Sequence, residues 1–138
     1  MSIVIPIFNE EMNLVPLNQR IQNALQPLGL THEIIYVNDG SKDASLGIIK
    51  GLSESNPSIK YIDFSRNFGH QIAITAGIEH AKGTRIIIMD GDGQDPPELI
   101  PGLYKKSLEV SSKLEAEVLT LNEIDRSLKD QLRRASNS

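Results

Sequence analysis

Four short apolar runs alternate with stretches whose apolar residues recur every three or four positions. The runs at residues 2–8 (SIVIPIF), 32–37 (HEIIYV), 59–64 (IKYIDF) and 84–89 (TRIIIM) are rich in β-branched residues and bounded by polar turns. That combination predicts strands rather than helices, the first and fourth of them buried. Pro6 falls near the end of the first run, where a missing N–H matters least. Between the runs, residues 11–25 place Leu14, Leu17, Ile21 and Leu25 on one helical face, and Pro27 and Gly29 stop that helix. Asp43 is placed to cap a second helix with Leu46, Ile49 and Leu52 or Ser53 inward, ended by Asn56-Pro57. A third helix is predicted over residues 70–81. The regular alternation implies βαβ units and an α/β fold on a parallel sheet of about four strands.

After Pro97 the pattern changes. Pro96, Pro97 and Pro101 allow at most one helical turn before a new helix starts near Pro101. From residue 103 to 132, Val110, Leu114, Val118, Leu121, Ile124, Leu128 and Leu132 keep a spacing of three or four, so the expectation is a long C-terminal amphipathic helix, with or without a break, and no strand. The chain therefore divides into an α/β domain at 1–106 and a helical tail at 107–138.

Composition narrows the classes of function. The 138 residues carry a net charge of −4, which speaks against non-specific nucleic-acid binding, and contain no cysteine, which excludes disulfides, thiolate metal sites and a cysteine nucleophile. The longest apolar runs fall far short of the roughly 20 residues that span a membrane, and no basic-then-apolar leader precedes the first strand. The expectation is a cytoplasmic protein, at most peripheral to a membrane.

The chemistry gathers where the strands end. The fourth run breaks into Asp90-Gly91-Asp92-Gly93, so two carboxylates reach the carboxyl edge of the sheet, where open α/β sheets place their ligands. Two carboxylates suit Mg²⁺ or Mn²⁺ bound with a diphosphate, both hard oxygen chemistry. The same four residues read equally well as a solvated turn with Asp95 capping the next helix. Pro6, Phe8, Asn9 and Glu10 lie at the end of the first strand, and Asn38, Asp39 and Gly40 at the end of the second. Asp39 could accept hydrogen bonds from a base or ribose, and Phe8 could pack against the base. Each alone is an ordinary turn; together, polar clusters at several strand ends on one edge point to a site.

Four segments in order, SIVIPIFNEE, YVNDGSKDAS, FSRNFGHQIAITAGIEHA and IIIMDGDGQDPPELIP, resemble successive motifs of family 2 glycosyltransferases. The likeness is to the branch that loads a sugar onto a polyprenyl phosphate, the dolichol-phosphate mannosyltransferase and bactoprenol glucosyltransferase type. It implies the Rossmann-like nucleotide-binding half of a GT-A fold. By motif position it places Pro6, Phe8 and Glu10 in the nucleoside pocket, Val37 and Asp39 at the base, and Ser41 as support for that loop. Arg66, Asn67 and Gly69 match the donor-side loop. Asp90 and Asp92 become the catalytic pair, holding cation and diphosphate with Gln94. His70 reads as a helix N-terminal residue without a chemical role.

Nothing from Ser107 onward resembles the family's acceptor half, so the resemblance implies the donor half only. Two readings follow. One is inverting hexose transfer from a UDP- or GDP-sugar to a polyprenyl phosphate or related acceptor at a membrane surface. The other is a non-catalytic nucleotide-sugar-binding remnant whose helical tail covers the bare edge of the fourth strand or joins two copies into a homo-oligomer.

Overall fold

All four expected strands are present in the computed structural model, which describes residues 1–110 and 117–120. They are β1 (Ser2–Ile7), β2 (Glu33–Asn38), β3 (Ile59–Asp63) and β4 (Arg85–Ile88). Between and after them lie α1 (Leu14–Leu25), α2 (Ser45–Ser55), α3 (His70–His80) and α4 (Ile100–Val110), the last entered through a 3₁₀ turn at Pro97–Leu99. Every pairing is parallel, in the order β3-β2-β1-β4, with Val4 opposite both Ile35 and Ile88.

Helices cover both faces, which is why β1 and β2 read as continuous apolar runs. Ile3, Ile5 and Ile7 of β1 join Leu14, Leu17, Ile21, Ile49 and Leu103 from α1, α2 and α4 in one core. On the opposite face Val4, Ile35, Val37, Ile86 and Ile88 pack with Ala73 of α3. The α3 contact is close because Gly77 has no side chain: a Cβ there would run into Val4 Cγ1 and come within 3.3 Å of Val37 Cγ2. Alanine at this position gains helix propensity but overpacks the strand, so Gly77→Ala is expected to lose a net ~1 kcal/mol in urea denaturation.

The amino ends of the strands are locked by Glu33, a buried carboxylate at the edge opposite the candidate site. It accepts from Ser2 Oγ at 2.6 Å, Lys60 Nζ at 2.8 Å and the Lys82 amide at 2.6 Å, and Ser2 Oγ in turn accepts from the Gly83 amide at 2.8 Å. One side chain thus joins β1, β2, β3 and the turn before β4. Burial works against the charged form, but Lys60, the Lys82 amide and Ser2 outweigh it and hold the carboxyl at about 2.

The expectation for the C-terminal region needs correction. A single helix over 103–132 is not what the chain forms: α4 ends at Val110, and Glu117–Thr120 is a fifth strand, β5, parallel to β4 with Val118 opposite Ile86. The edge of β4 is therefore covered by a strand, where the sequence suggested a helix. The physical reason is the open ladder of β4, whose N–H and C=O groups need partners. A four-residue strand is also too short to disturb a helical spacing of apolar residues. The remainder of the expected helix, 111–116 and 121–132, lies outside the described residues.

Candidate functional site

In the order β3-β2-β1-β4, successive strands are added to one side of β1 and then, from β4, to the other. The crevice at that reversal, outside the carboxyl ends of the strands, is where doubly wound sheets bind ligands. A cleft of about 370 Å³ opens there, lined by Pro6 near the end of β1 with Phe8 and Glu10 after it, Asp39 after β2, Asn67 and Gly69 before α3, His70 at the start of α3, and Asp90, Gly91 and Asp92 after β4. Phe8 and Asn67 also border a neighbouring cleft of about 540 Å³, which Ser41, Lys42, Phe64 and Arg66 help to line.

The loops after β1 and β2 are sewn together. The Asn9 amide donates to Ser41 Oγ (2.9 Å), the Lys42 amide to Asn9 Oδ1 (2.8 Å), the Glu10 amide to Ser45 Oγ (2.9 Å) and the Ala44 amide to Glu11 Oε2 (3.0 Å). Asp43 does not cap α2 from the N-cap position, which is Ala44; its carboxylate instead accepts from the Ser45 and Glu11 amides at 2.9 and 3.2 Å. Ser41 supports the loop from within this stitching.

Asp39 is buried and its carboxylate is spoken for. Oδ1 accepts from the Phe68 amide at 2.8 Å, Oδ2 from Asn67 Nδ2 and the Gly69 amide at 3.2 Å each, and Asn67 Nδ2 also reaches the Asp39 carbonyl at 3.1 Å. This residue fixes the loop before α3. Asp39→Asn should therefore speed hydrogen exchange of the Phe68 and Gly69 amides by about tenfold or more while leaving the β1 amides unchanged. Arg66 beside it stacks its guanidinium 4.4 Å from the centre of the Phe68 ring, which meets Phe64 edge-on at 5.4 Å.

The aspartates after β4 occupy distinct positions. Asp90 is partly buried, and its amide donates to Asp95 Oδ2 at 2.9 Å. Asp95 is itself buried, and the turn that follows begins at Pro96 without a side-chain cap, so Asp95 closes the Asp90 loop rather than capping a helix. Burial first, and then the charge of Asp95, raise the Asp90 carboxyl above its ordinary value; Asp92 and Glu10 add to this, and His70 opposes it. Asp92 is exposed and accepts from the Gln94 amide at 3.0 Å. Gly91 is glycine because of the protein rather than a ligand: a Cβ would strike Ile7 Cδ1 and lie 3.2 Å from the Pro6 carbonyl.

Pro6, Phe8, Glu10, Asp39, Asn67, Gly69, Asp90 and Asp92 are thus brought to one cleft. Val37 is not: its side chain is fully buried in the α3 core, because a strand covered on both faces gives no signal of which side a residue takes. Gln94 is exposed and stands outside the cleft lining, while Arg66 and Ser41 border the neighbouring one. His70, read from sequence as chemically idle, lines the main cleft with Nε2 3.6 Å from Asp90 Oδ1. The available signal was its place immediately after Gly69, which puts it at the head of a helix facing the sheet's carboxyl edge. Among the described residues, no three carboxylate or imidazole groups form a ready cage for an ion.

Fold and site together define a doubly wound α/β protein with an acidic cleft at its switch point. The Glycosyl transferase family 2 profile matches residues 2–110, and the chain belongs to that family. It is 49% identical over 105 residues to a Bacillus subtilis protein named uncharacterized glycosyltransferase YkcC, covering 76% of this chain and 32% of that one. To the bactoprenol glucosyl transferase of Shigella phage SfV it is 41% identical over 105 residues, covering 76% of this chain and 34% of the relative. The chain thus spans about a third of the length of these relatives. Staphylococcus aureus TarS, solved in complex with UDP-GlcNAc, superposes with a TM-score of 0.61 at 20% identity, over 78% of this chain and 31% of TarS, which places the fold in the GT-A-like class. No helix among the described residues is long and apolar enough to cross a membrane.

Proposed function

We propose that the chain binds a UDP- or GDP-sugar together with Mg²⁺ or Mn²⁺ and serves transfer of the hexose, with inversion, to a polyprenyl phosphate or related lipid phosphate. The observation that carries this reading is the unbalanced charge of the cleft. Glu10, Asp39, Asp90 and Asp92 all line it, and burial first, then the charges of Asp95, Asp92 and Glu10, raise the Asp90 carboxyl. A cation relieves that repulsion. A protein cage is unnecessary, since Mg²⁺ is commonly held by one or two carboxylates with substrate phosphates completing the shell. Asp90 and Asp92 are the residues to hold it, with Gln94 as the outer contributor by family pattern.

When bound, such a cation stabilises the negative charge that develops on the departing diphosphate. Pro6, Phe8 and Glu10 receive the nucleoside, and Arg66, Asn67 and Gly69 form the wall that Asp39 keeps in place. Ser41 supports the wall from the stitched loops, and Val37 contributes through the strand it completes. A lipid phosphate is already an anionic nucleophile, so attack on the sugar depends less on a general base than on positioning. The names of the bactoprenol glucosyl transferases support that acceptor class, and the UDP-GlcNAc complex of TarS supports the donor class.

Calorimetric titration of UDP, GDP and their hexose conjugates, with and without Mn²⁺, is the test. Metal-dependent binding of one diphosphate series is the expected result, and no binding of either would overturn the reading. Incubation with donor and a short-chain polyprenyl phosphate then separates an enzyme, which yields glycosyl lipid, from a non-catalytic donor-binding unit.

A further inference from the structure

We infer that His70 contacts the donor's diphosphate directly and makes the cleft select diphosphates over monophosphates. This rests on the donor-binding reading above. The case is an inventory of hydrogen-bond donors around the cleft. A diphosphate needs N–H or O–H groups as well as a cation, because its oxygens only accept. The loop before α3 looks at first like an amide cradle, but three of its donors are already engaged. The Phe68 amide, the Gly69 amide and Asn67 Nδ2 all point at Asp39. The remaining polar side chains of the lining, Glu10, Asp39, Asp90 and Asp92, are acceptors when ionised.

Among the described residues, His70 is the only basic side chain lining the cleft. Its side chain is 55% exposed, and Nε2 lies 3.6 Å from Asp90 Oδ1, beyond hydrogen-bond distance. The imidazole is therefore beside the carboxylate assigned to the cation without being committed to it. The ring is thus placed to donate to a diphosphate held beside Asp90. The neighbouring cleft has its own cations, Lys42 and Arg66, and the Arg66 guanidinium is stacked on Phe68. Among the described side chains close to Asp90 and Asp92, the donor role falls to His70. The residue is exposed at the head of α3 and belongs to neither core cluster, so its removal leaves the fold in place.

The test measures Mn²⁺-supported affinity for UDP, UMP, GDP and GMP in the unaltered chain, His70→Ala and His70→Gln, with thermal melting as a fold control. His70→Ala is expected to weaken the better diphosphate about tenfold, the loss of one hydrogen bond to a charged group, while changing the matching monophosphate less than about twofold. His70→Gln, which restores an N–H donor, is expected to recover part of that loss. Equal weakening of diphosphate and monophosphate, or an unchanged diphosphate, would overturn the role of His70 while leaving donor binding intact. Failure of the unaltered chain to bind UDP or GDP would overturn donor binding and this inference together.

Discussion

Asp90→Asn is expected to cut Mn²⁺-dependent affinity for the preferred nucleoside diphosphate by about 100-fold or more. Losing even an outer partner of a metal site costs ~10–100-fold, and Asp90 is placed to touch the ion itself. The same substitution should make the metal-free protein slightly more stable. In the fold, the Asp90 carboxyl is raised by burial and by Asp95, with Asp92 and Glu10 adding, so its ionised form opposes folding at neutral pH. A neutral amide of the same shape removes that repulsion, and a rise of about 2 °C in Tm is the expected sign of it. Saturating Mn²⁺ with UDP or GDP should reverse the order, the unaltered chain then melting higher. A metal-free Tm below that of the unaltered chain would show that Asp90 is a structural carboxylate. Asp92→Ala, at an exposed position, should reduce metal-dependent binding with little change in Tm, and unchanged binding would remove it from the ion's shell.

The second large effect is far from the cleft. Glu33→Ala is expected to lower stability by about 2–3 kcal/mol, since it strips the acceptor from Ser2 Oγ, Lys60 and the Lys82 amide at once. For a domain of this size the corresponding fall in Tm is about 10 °C. The pH dependence follows from the folded carboxyl standing at about 2 against an ordinary 4.5. A depressed value means that the charged form favours the fold. Its contribution is complete above the ordinary value and disappears as pH falls from about 4.5 towards about 2. Denaturant melts of the unaltered chain and Glu33→Gln across that window should therefore converge at the acid end. Parallel curves down to the lowest pH would show that Lys60 and the amides hold some other acceptor.

These two carboxylates also mark what sequence can and cannot disclose. The strands were legible because runs such as IIIM and SIVIPI are buried on both faces, and the first two helices between them because Leu14, Leu17, Ile21 and their counterparts in α2 repeat at the helical period. Strand-end chemistry was legible for a topological reason: parallel strands bring all their carboxyl ends to one edge. What failed were properties that depend on a neighbour distant in sequence. Val37 stands two positions before Asp39 but takes the core side, and a double-faced strand hides that choice. Residues 117–120 keep a helical spacing in sequence and become a strand because β4 offers an open ladder. Asp95 had the look of a cap until the Asp90 amide claimed it. Asp39 was expected to meet a base, yet its oxygens are filled by Asn67, Phe68 and Gly69, some 30 residues away. His70 carried only a positional signal, its place directly after Gly69 at the head of a helix.

The stitching of the loops after β1 and β2 has a practical consequence for ligand discovery. Asn9, Glu10 and Glu11 are bonded to residues more than 30 positions later, across a strand pair buried at the centre of the sheet. Such loops cannot open by local fraying, as free surface loops do, so the cleft and the sheet should come apart in one event. Any compound that occupies the cleft then opposes complete unfolding, and at 100 times its Kd it adds about 2.7 kcal/mol to the measured stability. A heat-shift screen of nucleotide libraries would consequently rank compounds by affinity, with no assay of turnover and no knowledge of the acceptor required.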